Sequence, residues 1–162
     1  MATTPFVPRD FKVPKKLETE RLRLRMLKIT DAVKDFDAVI SSTEYLLNTK
    51  PFGPGQRWPT GLTLEQNMID LGWHHKEFQM KTSFAYTVMN HEESQCLGCI
   101  YIEPTIKPGF DAKVYLWVRQ SELDTGLDDH LFQAVKQWIA KKWPFETVAY
   151  PGRNISWEDW RQ

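Results

Sequence analysis

The chain has 162 residues, of which 41% are hydrophobic and 26% are charged. This length suits one domain whose core is large enough to fold without disulfide or metal staples. The 21 basic and 21 acidic side chains cancel. Net charge therefore gives no reason to expect a nucleic acid or an anionic membrane as a partner.

The first 16 residues, MATTPFVPRDFKVPKK, form an N-terminal arm that is interrupted by prolines. The arm has no continuous apolar run of the kind a secretory signal needs, and no later segment is long enough to span a bilayer. Two cysteines favour a reducing compartment over an exported scaffold. We therefore predict a cytoplasmic protein in which residues 17–162 form a single domain.

Two cysteines, Cys96 and Cys99, form a C-x-x-C pattern within the strand-like segment QCLGCIYIE. A redox pair needs a helix N-terminus to lower its thiol pKa, and zinc needs two further ligands. Residues three apart in a strand point to opposite faces. We therefore interpret both cysteines as small buried residues, and the histidines have no shared ligand spacing that would predict a metal site.

The first half of the chain predicts a strand, two helices and a long loop. Alternation over residues 19–25 is typical of a half-buried strand. Thr30 and Asp31 offer an N-cap for a helix over residues 32–40. Proline and glycine indicate a loop over residues 48–61.

Each of these two predicted helices has a predicted apolar face. For the first helix the face consists of Val33, Phe36, Val39 and Ile40. A second helix follows the loop, and its predicted face consists of Leu64, Met68, Leu71 and Phe78.

The second half predicts three strands, at residues 83–89, 95–103 and 112–120, followed by a helix and a last strand at residues 147–150. The helix carries a regular apolar stripe, formed by Leu127, Leu131, Val135, Trp138 and Ile139. A crossover helix between two strands demands a parallel pair inside a mostly antiparallel sheet. Ligands bind beyond strand ends where neighbouring strands diverge, so we expect the cleft there.

This order of elements and three motifs resemble the GCN5-related N-acetyltransferase (GNAT) family, in particular its ribosomal-protein-alanine acetyltransferase branch. The segment LETERLRLRMLKITDA resembles the branch's E-R-L-x-L-R strand and the aspartate that caps its first helix. CLGCIYIEP resembles its third strand, and AKVYLWV its fourth. The resemblance implies an α/β (α+β) fold, a GNAT-like mixed and mostly antiparallel sheet with a splayed parallel pair of strands and helices on both faces.

The resemblance also implies acetyl-CoA as a co-substrate. In the family, the backbone of the fourth strand pairs with the pantetheine arm and one amide polarises the thioester carbonyl. By position these roles fall on Leu116, Trp117 and Val118. The family's pyrophosphate loop lies at the N-terminus of the next helix, where it aligns with Thr125, Gly126, Leu127 and Asp128.

Asp128 departs from the family pattern, because it replaces a small residue beside the pyrophosphate. A carboxylate about 5 Å from a phosphate charge costs on the order of 3 kcal/mol at an effective dielectric constant near 20. The helix dipole stabilises a bound anion by no more than about 1 kcal/mol at an exposed end. Asp128 therefore opposes the coenzyme if it faces it and is harmless if it points outward. Acids in a first helical turn are also common for stability alone, with Asp124 or Thr125 as the N-cap.

Acetyl transfer to an amine needs a base for the ammonium group and an acid for the departing thiolate. Lys113 stands where many family members have a glutamate, so Glu103 becomes the best remaining base. A solvated acid at a strand end is an equally good interpretation of Glu103. By position Ser156 is the expected hydroxyl donor, with Tyr150 as the alternative.

Residues 48–61, with Phe52 and Trp58, are the preferred segment for acceptor specificity. The leading hypothesis is an acetyl-CoA-dependent N-acetyltransferase that acts by direct transfer on a primary amine of a small molecule or of a protein N-terminus. A non-catalytic GNAT-like domain that binds another ligand or a protein partner is the alternative. A third hypothesis is an enzyme that binds an acyl-CoA with a different acyl group. A homodimer is kept open as the assembly. Trp157 and Trp160 are interpreted as core residues.

Overall fold

The computed structural model describes residues 4–162, and its strands and helices alternate much as the sequence predicts. The strands are β1 (Lys16–Glu18), β2 (Arg23–Met26), β3 (Phe84–Met89), β4 (Cys96–Glu103), β5 (Ala112–Val118) and β6 (Val148–Ala149). The helices are α1 (Ala32–Ile40), α2 (Thr43–Thr49), α3 (Leu64–Met80), α4 (Leu127–Lys142) and α5 (Trp157–Trp160). Two 3-10 segments, Ile29–Asp31 and Gln120–Thr125, precede α1 and α4.

The six strands form one sheet in chain order, from β1 at one edge to β6 at the other. Every neighbouring pair is antiparallel except β5 and β6, which are parallel. That pairing covers only Ala112 with Val148 and Lys113 with Ala149. The predicted mixed, mostly antiparallel sheet is confirmed, and beyond Lys113 the side of β5 that faces away from β4 has no paired strand.

Helices cover both faces of this sheet, as predicted. The apolar stripe of α4 packs against one face and is buried throughout, at Leu127, Leu131, Val135, Trp138 and Ile139. The helices α1, α2 and α3 cover the opposite face, where Val39, Leu46 and Leu71 pack with Trp117 of β5. Within the described residues, no helix is both long and apolar enough to cross a membrane.

The predicted strand over residues 19–25 is confirmed only at its end, since residues 23–25 lie in β2. Residues 19–22 form a turn between the two short antiparallel strands β1 and β2. The hydroxyl oxygen of Thr19 accepts hydrogen bonds from the backbone N–H groups of Arg21 and Leu22, at 3.1 and 3.2 Å. A threonine side chain that bonds the following backbone in this way competes with strand pairing. The alternation therefore continues through a turn that the periodicity alone does not reveal.

The bounds predicted for α1 are confirmed, but its apolar face is wrong at two positions. Val33 is 68% exposed and Ile40 is 44% exposed. Asp35 is buried instead, because its carboxylate accepts a hydrogen bond from Asn67 of α3 at 2.9 Å. A buried polar pair between two helices rotates the inward face away from the one that hydrophobic periodicity selects.

The predicted face of α3 shows the same deviation. Leu71 is buried and Phe78 packs on the core, whereas Leu64 and Met68 are exposed. Asn67 takes the inward position next to α1.

The two cysteines are buried and free, as predicted, but they lie on the same face of the sheet. The register between β3 and β4 shifts at Val88 and Met89, which pair with Gly98 and Cys96. This bulge inserts Leu97 as an extra residue and reverses the alternation. Burial raises the pKa of the Cys96 thiol to about 12 and also raises the pKa of the Cys99 thiol, so both remain thiols at neutral pH.

Candidate functional site

The unpaired part of β5 forms the edge of a gap between β5 and the segment that follows β6. Arg119 donates its backbone N–H to Leu97 of β4, at 2.8 Å. Since peptide groups alternate along a strand, those of Leu116 and Val118 face the opposite side, toward the gap. Of the residues predicted to form the backbone edge, Leu116 and Val118 thus lie on a strand edge that β6 leaves open. The peptide groups of Trp117 face β4 instead.

The turn at the end of this gap leads directly into α4. Gly126 caps the helix with a left-handed backbone, φ 77°, and no side chain caps it. The predicted N-caps, Asp124 and Thr125, are therefore wrong, because both lie in the preceding 3-10 segment. The Thr125 hydroxyl instead donates to the Glu122 carbonyl at 2.9 Å.

The space above Gly126 is open. A Cβ atom at this glycine would meet only the Arg21 guanidinium, 3.9 Å away. An uncovered glycine at a helix N-terminus with a cation beside it is a suitable place for an anionic group.

Asp128 neither faces the gap as an unpaired acid nor points outward into solvent. Its carboxylate forms a two-point ion pair with Arg153, with Nη1–Oδ2 at 2.8 Å and Nη2–Oδ1 at 2.9 Å. The same guanidinium donates to the carbonyl of Leu116 at 3.3 Å and lies over the ring of Phe132. The acid thus points toward the gap, but its charge is neutralised.

A cavity of about 220 Å³ lies along this edge, and we call it the β5-edge pocket. It is lined by Tyr45, Thr49, Lys50, Pro51, Leu116, Trp117, Asp128, Pro151, Gly152, Arg153 and Trp157. Trp157 stacks on Tyr115 of β5 and lies so close to Gly152 that a Cβ atom there would overlap its indole nitrogen. The prediction that Trp157 packs as a core residue therefore holds only in part, since it also forms a pocket wall.

A second cavity, of about 290 Å³, lies on the other side of β5 between α1, α3 and β4. We call it the acidic aromatic pocket. It is lined by Leu27, Asp35, Phe52, Trp58, Asn67, Asp70, Leu71, Trp73, His74, Tyr101 and Glu103. Phe52 and Trp58 belong to the loop that the sequence predicts as the acceptor-specificity segment.

The titratable groups of this pocket are shifted by burial. Burial raises the pKa of Asp35 to about 6, which the hydrogen bond from Asn67 only partly offsets. Burial also raises the pKa of Glu103, against the effect of Lys113, whose Nζ lies 3.8 Å from its carboxylate. Burial lowers the pKa of His74, whose buried Nδ1 has no hydrogen-bond partner among the described residues.

One layer of aromatic side chains separates the two pockets. Phe52 packs on Tyr115 with ring centroids 5.6 Å apart, and Trp58 packs on Trp117 at 5.9 Å. Trp117 also donates its indole N–H to the Tyr101 hydroxyl at 3.0 Å. A group that passes between the pockets must displace part of this layer, and Phe52 and Trp58 are the members carried by a loop.

The three predicted catalytic residues lie in three different places. Glu103 lines the acidic aromatic pocket. Tyr150 is buried in the core beside Phe132, and burial raises the pKa of its hydroxyl. Ser156 caps α5 by accepting a hydrogen bond from the Asp159 N–H at 3.1 Å. Among the described residues, neither Tyr150 nor Ser156 lines either of the two pockets, and their roles stay predictions.

Sequence reasoning missed two residues of the site, Tyr45 and Asp35. Tyr45 supplies a hydroxyl to the β5-edge pocket, and burial together with the Asp128 charge raises its pKa. Neither residue belongs to a motif, so only a correct helical face in α1 and a prediction of α2 would have indicated them. No group of three or more potential metal ligands occurs within residues 4–162.

The turn residues fit an anionic coenzyme group, since Gly126 leaves the helix N-terminus open and Arg153 neutralises Asp128. The β5 edge fits an amide-bearing chain at Leu116 and Val118 once Arg153 releases the Leu116 carbonyl.

No protein-family model matches the chain, and no curated protein matches it by sequence. Solved structures do share its fold. One is the ribosomal-protein-S5-alanine acetyltransferase from Vibrio fischeri, with a TM-score of 0.63 and 16% identity over 79% of this chain and 68% of that one. Another is RimL, a ribosomal L7/L12 α-N-protein acetyltransferase in complex with coenzyme A, with a TM-score of 0.59 and 16% identity over 78% and 68%.

A third is the microcin C7 self-immunity acetyltransferase MccE in complex with acetyl-CoA and AMP, with a TM-score of 0.58 and 10% identity over 76% of this chain and 64% of that one. TM-scores of this size show a shared fold, and identities of 10–16% show no more than the fold. The chain therefore has the GNAT-like fold, with a mostly antiparallel six-stranded sheet, one parallel pair and helices on both faces.

Proposed function

We propose that this protein is an N-acetyltransferase that moves the acetyl group of acetyl-CoA directly to a primary amine. The observation that carries the proposal is the open edge of β5 next to the uncovered N-terminus of α4. Acetyltransferases with the same fold bind coenzyme A or acetyl-CoA. Here Thr125, Gly126, Leu127 and Asp128 would hold the pyrophosphate.

Acetyl-CoA, when bound, supplies an activated thioester. The backbone N–H groups of Leu116 and Val118 face the gap, where they can donate to a carbonyl oxygen that gains negative charge during attack. Donors that are fixed in a strand need no reorganisation for this, which makes backbone amides effective in stabilising such an oxygen.

Glu103 is the proposed proton acceptor for the amine. It lines the acidic aromatic pocket, and burial raises its pKa toward the range in which a carboxylate both accepts and releases protons. Tyr45 is the proposed donor to the departing thiolate, because its hydroxyl lines the β5-edge pocket and its raised pKa keeps it protonated. Tyr45 takes the place of Ser156 and Tyr150 in this proposal.

Direct transfer requires the two pockets to communicate. Phe52 and Trp58 lie in the separating layer and are carried by the loop between α2 and α3. We therefore assign the opening step to this loop, whose displacement brings the amine beside the Leu116 edge.

A second function, a non-catalytic GNAT-like domain that binds another ligand, is favoured by one contact. Arg153 donates to the Leu116 carbonyl, which is the backbone group that the pantetheine arm would need. If this contact persists in solution, the gap stays closed to the coenzyme.

The test is an acetyl-transfer assay that follows thiol release with acetyl-CoA and a panel of primary amines. Cys96 and Cys99 are buried, so they add little background. Gly126→Val fills the open space at the turn. Gly109→Val is the matched control, since both glycines have a positive φ, 77° and 89°, and Gly109 lies in open space. We expect transfer by the wild type and by Gly109→Val, and loss in Gly126→Val. Equal activity in both variants, or no transfer by a folded wild type, would contradict the proposal.

A further inference from the structure

The acidic aromatic pocket combines negative charge with aromatic walls. Its carboxylates are Asp35, Asp70 and Glu103, and no lysine or arginine is among the described residues that line it. Lys113, whose Nζ lies 3.8 Å from the Glu103 carboxylate, offsets the charge of that acid. The pocket therefore presents a net negative charge, carried by Asp35 and Asp70, to whatever enters it.

Asp35 is the deepest of these acids. Asp35 is 3% exposed, and one of its carboxylate oxygens, Oδ2, accepts the hydrogen bond from Asn67. Among the described residues no donor contacts Oδ1. A buried carboxylate with an unused oxygen is costly to ionise unless a donor or a cation meets it.

The walls of the pocket suit an organic cation. Three aromatic rings pack together here. The ring centroid of Phe52 lies 5.3 Å from that of Trp58 and 5.1 Å from that of Tyr101. Trp73 adds a further indole. Ammonium groups are attracted to the faces of such rings, whereas hard metal ions need several oxygen ligands.

We infer that the acidic aromatic pocket binds a small primary ammonium compound with a short apolar or aromatic body, its charge directed at Asp35 and Glu103. The volume of about 290 Å³ suits a small molecule and lies at the low end of ligand pockets in general. The proposed acceptor is therefore a small amine and not a protein N-terminus.

As a statement about the acceptor, this inference rests on the proposed acetyltransferase function. Binding of the amine, however, needs only the pocket and can be measured without acetyl-CoA. A failure of transfer and a failure of amine binding are therefore separate results.

The experiment is a calorimetric titration of the full chain with phenethylamine, its neutral analogue 2-phenylethanol and its acidic analogue phenylacetate. Asp35→Asn and Glu103→Gln remove one charge each and keep the side-chain shape. Glu65→Gln is the control, since Glu65 is an exposed acid in the first turn of α3 outside the pocket. Circular dichroism establishes that each variant is folded.

We expect phenethylamine to bind at least about tenfold more tightly than 2-phenylethanol, a difference of about 1.4 kcal/mol, and phenylacetate not to bind. The preference should collapse in Asp35→Asn, weaken in Glu103→Gln and persist in Glu65→Gln. Equal binding of amine and alcohol, no binding of phenethylamine at millimolar concentration, or an unchanged preference in folded Asp35→Asn would each overturn the inference. Amine binding without any acetyl transfer would overturn only the proposed function.

Discussion

Arg153, in the segment after β6, and Asp128, in the first turn of α4, form a two-point ion pair with N–O distances of 2.8 and 2.9 Å. The pair lies where a coenzyme pyrophosphate would approach the helix. An unpaired Asp128 would repel that group, whereas the paired one contributes no net charge. Whether this turn can bind an anion therefore depends on two residues that are 25 positions apart in the chain.

The first prediction concerns the charges of this pair. Asp128→Asn leaves Arg153 free to attract the pyrophosphate, and we expect it to tighten acetyl-CoA binding about tenfold. Arg153→Gln leaves an uncompensated acid, and we expect weaker binding by a similar factor. Calorimetric titration at low ionic strength measures both.

The double variant Asp128→Asn/Arg153→Gln completes the cycle and should return close to wild-type affinity, because it leaves the turn without net charge, as the ion pair does. A deviation from the sum of the two single effects would measure the coupling between the two residues. High salt should shrink all the differences. If the two single variants changed affinity in the same direction, the charge account of this turn would be wrong.

The second prediction concerns the stability cost of Asp35. Its pKa is about 6 in the folded protein against 3.8 ordinarily. The unfolded chain therefore ionises first as pH rises, and the free energy of unfolding falls between about pH 4 and pH 6. Above pH 6 this cost is constant, and it amounts to about 3 kcal/mol.

Asp35→Asn removes the ionisation and should stabilise the protein by up to about 3 kcal/mol at neutral pH, with the gain vanishing below about pH 4. Urea unfolding across this pH range measures it. A variant that is less stable than the wild type at neutral pH would refute the prediction. The same substitution is expected to lose amine binding, so stability and binding should change in opposite directions.

The third prediction concerns Tyr45 as the proton donor. Tyr45→Phe removes only the hydroxyl, and we expect kcat to fall by about a hundredfold, since general acid catalysis contributes at least this much. The KM for acetyl-CoA should change little. Thr49→Val, which removes the other side-chain hydroxyl lining the β5-edge pocket, is the control and should keep its kcat. An unchanged kcat in Tyr45→Phe excludes this role.

The fourth prediction separates the two interpretations of Ser156. As a helix cap, its loss in Ser156→Ala should cost about 1 kcal/mol. Ser156→Asp restores a cap that accepts the Asp159 N–H but has no hydroxyl. We expect Ser156→Asp to keep its acetyl-transfer rate. A large drop in rate with intact stability would show that the hydroxyl takes part in the chemistry.

Much of the architecture follows from patterns within single elements. The bounds of α1, the three central strands and the crossover helix are readable because apolar periodicity and turn residues agree there. The inward faces of α1 and α3 are not, since the buried contact between Asp35 and Asn67 replaces the apolar contact that periodicity assumes. The bulge at Leu97 likewise depends on pairing between strands.

The site divides in the same way. The open edge of β5 and the turn at Gly126 are predictable from the order of elements. The neutralisation of Asp128 is not, because Arg153 comes from a loop after β6 and carries no motif. The acidic aromatic pocket draws its lining from two helices, a loop and a strand, so the residues meet only in the folded chain.

A calorimetric titration of acetyl-CoA into the wild type, Gly126→Val and Gly109→Val decides whether the turn at Gly126 holds the coenzyme. We expect saturable heat and thermal stabilisation for the wild type and for Gly109→Val, and loss of both in Gly126→Val. No heat and no stabilisation of the folded wild type at millimolar acetyl-CoA would contradict the account, and the protein would then be a binding domain with a closed gap at Arg153.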